Sequence, residues 1–156
     1  MSRKSAVGAL AAALAVGGAS IASARDGDHD GRTIRLTAKN GSVTVVENGR
    51  AGINPGDRFV AVGDLFQGDA KVGWAANDCV TLTYGPAGSS YQCTATASLP
   101  DGQLAFQALA TGTGPIPSSA TAAVTGGTGR YRTAQGEAAL SISAQGLQGD
   151  LVIRLR

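Results

Sequence analysis

The chain of 156 residues has little of what most enzymes work with. It holds one histidine, His29, set in a run of aspartates and glycines near the start. A Ser-His-Asp or Cys-His site needs a histidine fixed beside its nucleophile, so neither is expected, and a histidine-built metal centre is not expected either. Aromatic residues make up only 4 % of the chain and charged residues 15 %. A core must therefore be assembled mainly from small aliphatic side chains. No window from Thr33 onward carries a convincing helical period. Long apolar runs are also missing, apart from one at the beginning.

That run extends from Ala6 to Ala22, follows the basic pair Arg3 and Lys4, and ends in Ala22-Ser23-Ala24. A basic start, an Ala- and Gly-rich apolar stretch and a small-x-small end predict a secretory signal peptide, residues 1–24, cleaved after Ala24. A retained membrane anchor is the rival reading, and the run is short and weakly apolar for a span. Removing Arg3 and Lys4 leaves as many basic as acidic residues. The mature chain then has no basic field for nucleic acid or anionic lipid, so neither partner is expected, nor is a membrane span after processing. Residues 25–32, "RDGDHDGR", read as a disordered polar leader. Asp26, Asp28 and Asp30 before Gly31 imitate the start of a calcium loop, but Thr37 stands where the bidentate Glu is required, and no metal site is expected.

The remaining residues, 33–156, alternate with period two and predict one all-β domain. Ile34, Leu36 and Ala38 share one face; Val43 and Val45 follow what reads as an Asn40-Gly41 turn. Further alternating runs cover Phe59 to Leu65, Cys79 to Tyr84, Tyr91 to Leu99, Leu104 to Ala108, Ala120 to Val124, Ala138 to Ser143 and Leu151 to Arg156. About eight strands at these spacings fit a barrel or sandwich. The inward candidates are small, which gives either a filled waist or an open hole.

The two cysteines, Cys79 and Cys93, flank a hairpin signal at Gly85-Pro86-Ala87. A turn there sets Thr83 opposite Ser89, Thr81 opposite Tyr91 and Cys79 opposite Cys93, close enough for a disulfide. Two buried free thiols are the alternative.

Three stretches, "NPGDRFVAVGDLFQGDAKVGWAANDCVTL", "YQCTATASLPDGQLAFQ" and "AVTGGTGRYRTAQGEAALSI", occur in this order. In them the chain resembles the allene oxide cyclase and dirigent superfamily, most of all its small secreted bacterial members. The block from Val124 to Gly136 is the most specific part. The resemblance implies an eight-stranded antiparallel calycin-like β-barrel with a hydrophobic central cavity. It also implies a small hydrophobic or aromatic molecule as ligand, no cofactor, and a homo-oligomer, dimer or trimer. The cyclases' catalytic Glu and Asn are not matched: no acid lies within Thr33–Thr37, and Gly63 stands at the Asn position, with Asp64 beside it. Cys79 falls where a cysteine lines the cyclase cavity.

The glycine-rich stretch Gly126, Gly127, Gly129 and Gly136 lacks the Lys-Ser/Thr and the following helix of a phosphate loop. It reads as a tight turn between strands, with Tyr131 plugging the barrel end and Arg130 and Arg132 sharing one side, in a surface salt bridge or at the mouth. Asp64 follows an apolar run, and if it points inward its burial would make it a usable acid or base. Phe59, Phe66, Trp74, Tyr84 and Phe106 are the expected cavity walls. Two functions remain open. One is a secreted dirigent-like or cyclase-like barrel that steers cyclisation or coupling of its ligand, at most as a cofactor-free isomerase or cyclase. The other is a non-catalytic carrier or envelope module with a filled barrel.

Overall fold

The computed structural model describes residues 31–143 and 148–156. The expected signal peptide and nearly all of the polar leader lie outside these residues. Eight strands follow one another: β1 (Thr33–Val46), β2 (Arg58–Gln67), β3 (Ala70–Gly85), β4 (Gly88–Leu99), β5 (Gly102–Gly112), β6 (Ser119–Gly127), β7 (Gly136–Ile142) and β8 (Gln148–Leu155). Each pairs antiparallel with its neighbours in sequence, and β8 returns to β1, closing the barrel. Closure leaves no strand edge along the paired stretches to seek another chain. Short turns at Gly68-Asp69, Pro86-Ala87 and Pro100-Asp101 keep consecutive strands adjacent, as proline and aspartate at loop positions favour.

Two strands differ from the expected pattern. Asn40-Gly41 is not a turn but a bulge, where the pairing steps from Asn40–Gly63 to Ser42–Val62 within one long β1. A bulge bends a strand and adds twist without ending it. Beyond it β1 pairs only with β2, because its pairing with β8 ends at Lys39–Gln148. In the β3–β4 hairpin the turn is one residue tighter than expected, with Gly85 opposite Gly88 and Thr83 opposite Ser90. A bulge at Leu82 takes up the extra residue, so Thr81 still meets Tyr91 and Cys79 still meets Cys93.

The interior contains two apolar clusters. One gathers Ile34, Leu36, Leu65, Leu104, Val124, Tyr131, Ile153 and Leu155 towards one end of the barrel. The other joins Phe59, Ala61, Cys79, Tyr91 and Ala110 towards the opposite end. The β1–β2 connection is fastened by Asp57, a buried carboxylate that accepts hydrogen bonds from the backbone N–H of Asn48 and of Asn54, both at 2.8 Å. Charge-assisted bonds of this kind repay the cost of burying the acid. They tie both ends of the loop to one carboxylate.

The barrel cavity as candidate functional site

Cross-strand pairing stacks the inward side chains in rows. Phe59, Cys79, Cys93 and Ala108 form one; Ala61, Asn77, Ala95 and Phe106 the next; Gly63, Ala75, Ala97 and Leu104 a third. On the far wall stand Ala120, Ala122, Ala138, Leu140 and Leu151. An eight-stranded barrel is just wide enough for ordinary side chains to fill it. Alanine and glycine at most of these positions leave the centre unfilled, and a cavity of about 130 Å3 results. That is close to the roughly 150 Å3 of an apolar cavity that stays dry and admits benzene. The interior is therefore open rather than filled, which settles the choice that composition left undecided.

One end is stoppered. After β6 the chain makes a single 3-10 turn, Gly129–Tyr131, which inserts Tyr131 among the first apolar cluster with only 3 % of its surface exposed. Gly129 allows the approach: its φ is +58°, and a Cβ there would lie 2.4 Å from the Asp101 carbonyl oxygen. Gly126 and Gly127 end β6 and Gly136 begins β7, so the glycine stretch serves the turn. At the other end the connection between β5 and β6 brings Ile116 and Pro117 over the cavity, tied down by the Tyr91 hydroxyl, which donates to the Gly114 carbonyl. Val43 and Val45 lie opposite the inward residues Ala61 and Phe59, yet they are 39 % and 47 % exposed. Among the described residues no strand flanks them on their second side, and Ile142 and Gln148 belong to the cavity lining. Among the same residues this is an exposed side of the cavity.

Among the described lining residues no side chain is ionisable. Thr94, Thr96 and Gln107 border the cavity through backbone, since alternation turns their side chains outward. The inward polar group is the Asn77 amide, whose Nδ2 lies 3.8 Å from Cys79 Sγ. Cys79 and Cys93 are joined in a disulfide that forms part of the wall.

Several expected site residues stand elsewhere. Phe59 and Phe106 do line the cavity. Asp64 does not: it pairs with Trp74 on the outer face, and its carboxylate is 2.8 Å from Lys71 Nζ at the surface. Its neighbours Gly63 and Leu65 are the residues that turn inward. Phe66 is on the outer face too, half-buried, with the Lys39 ammonium 4.5 Å above its ring. Trp74 shares the outer face of Asp64 and is exposed; Tyr84, after the Leu82 bulge, pairs with the buried Ser89 but sits near the hairpin tip, exposed and outside the cavity lining. Arg130 lies on the closed end, 3.7 Å from Asp101; the helical turn removes the strand alternation that placed it beside Arg132. Asn77 escaped the sequence reading, although it shares the parity of Cys79 and so was discoverable from that cysteine.

No protein-family model matches the chain, and no curated protein matches it in sequence. Solved structures do match. A protein described as pyocyanin demethylase superposes with a TM-score of 0.70 at 26 % identity, over 80 % of this chain and all of that one (100 %). The Diels-Alderase AbmU from Streptomyces koyangensis gives 0.62 at 16 % identity, over 85 % of this chain and 73 % of that one. A pterocarpan synthase dirigent protein gives 0.55 at 19 % identity, over 80 % and 87 %. The strand order, the closed barrel and these likenesses agree with the resemblance that the sequence motifs carry: the chain shares its barrel fold with these proteins, a dirigent protein among them.

Proposed function

We propose that this protein works outside the cytoplasm, binding one small, uncharged, apolar molecule in its barrel and holding it in a conformation that favours one ring closure or coupling. The observation that carries the reading is the cavity, apolar, built from Ala and Gly positions and partly enclosed. Binding one reactive conformer in a dry, preformed space lowers a barrier by orientation alone. The neighbours named for a [4 + 2] cycloaddition and for pterocarpan synthesis support a barrel that guides cyclisation. The Cys79–Cys93 bond supports an oxidising compartment. With no ionisable side chain among the described wall residues, the wall contributes shape and one amide rather than a strong acid or base. That same composition favours a second reading, a carrier that only transports its ligand.

Native mass spectrometry of protein recovered from its producing culture tests both. A co-purified small molecule is expected with the wild type and is expected to be lost from Ala108→Phe, which fills the wall from β5. Wild-type protein that emerges bare and also refuses neutral aromatic probes overturns the ligand-binding reading. A bound molecule recovered unchanged after incubation selects the carrier; a cyclised or coupled product selects the steering barrel.

A further inference from the structure

Asn77 stands alone in its surroundings. Its cross-strand neighbours on the inward face are Ala61 and Ala95, which offer no polar atom from their side chains. Among the described residues, the one hydrogen bond of its side chain is the weak 3.8 Å contact from Nδ2 to Cys79 Sγ. An amide has two donors and an acceptor oxygen with two lone pairs. The rest of that capacity is unused by the described residues, on a half-buried side chain that borders an apolar space. Nothing about the fold demands an amide at this position, since alanine serves on both sides of it. Phe59 and Phe106 are the two aromatic side chains of the wall; Phe106 shares the row of Asn77, and Phe59 begins the row beside it.

We infer that Asn77 is the polar anchor of the cavity, and that the ligand is a compact, uncharged ring compound with one hydroxyl or carbonyl oxygen that bonds to this amide. The inference rests on the reading of the cavity as a ligand site and narrows its chemistry. The volume admits about one ring with small substituents. The absence of ionisable side chains from the described wall disfavours carboxylates, phosphates and ammonium groups. An amide accepts from a phenolic O–H or donates to a ring carbonyl with equal ease. A site built to hydrogen-bond one oxygen rejects the analogue that lacks it, because the amide is then left unpaired.

Toluene and p-cresol, which differ by one hydroxyl, separate the two claims by isothermal titration calorimetry. Wild-type protein is expected to bind both. In Asn77→Leu, which keeps the branched shape and removes the amide, p-cresol affinity is expected to fall relative to toluene by about tenfold or more. Toluene affinity is expected to hold or rise, and this also reports that the variant is folded. A relative affinity that changes less than twofold overturns the anchor while leaving the cavity as a ligand site. Failure of the wild type to bind toluene overturns the ligand-site reading and the anchor with it. If Asn77→Leu does not fold, the side-chain amide resonance of Asn77 in the wild type decides. It must shift clearly more with p-cresol than with toluene, and equal shifts overturn the anchor.

Discussion

Asp57 illustrates how a single buried group shapes the site without touching it. Its carboxylate receives two backbone N–H groups from a loop that otherwise has few tethers, and Asn54 in turn caps that loop through its own amide to the Gly52 carbonyl at 2.8 Å. Replacing Asp57 with Ala leaves both donors without an acceptor in a place that solvent reaches poorly. The expected cost is about 2–3 kcal/mol, read as a lower urea midpoint, with faster amide exchange at Asn48 and Asn54 as the local signature. The motif Gly56-Asp57 stands out in the sequence as part of the family resemblance, and the geometry supplies its physical reason. By contrast, Lys71–Asp64 is an exposed pair that contributes little, and removing it should not be felt in the same measurement.

Strands were readable from the sequence because period-two alternation and turn residues agree nearly everywhere, and their number and order follow from that agreement. What alternation alone does not reveal is which face is inside. On β2 and β3 both faces carry apolar residues: Val60, Val62 and Phe66 outward against Phe59, Ala61 and Leu65 inward. Bulk was therefore a misleading guide, and Trp74 lies outside while alanines line the hole. The same ambiguity misplaced Asp64. Bulges were the second blind spot, since one unpaired residue at Gly41 or Leu82 leaves only a faint trace in composition. The β3–β4 hairpin shows both lessons, for the disulfide was foreseen through a register whose tip is different. Joining Cys79 to Cys93 closes a loop with a sequence separation of 14. Converting both to Ala is expected to lower stability by about 3 kcal/mol, measurable in urea melts of the double variant against the oxidised wild type.

At the scale of the molecule, the barrel separates its charges from its cavity. The described ion pairs Arg58–Asp78, Lys71–Asp64, Arg130–Asp101 and Arg154–Glu137 all lie on the outer surface or the ends, and none of their members lines the interior. Binding of a neutral probe such as toluene should therefore stay level between about pH 5 and pH 9, because no described wall side chain is ionisable. Titration calorimetry across that range checks it; a step in affinity would reveal an ionisable group in contact with the bound molecule. The stopper formed by Tyr131 has a kinetic corollary. With that base corked, a guest would be expected to arrive and depart through the opposite half of the barrel, so that dwell time inside would set how fast one molecule could follow another.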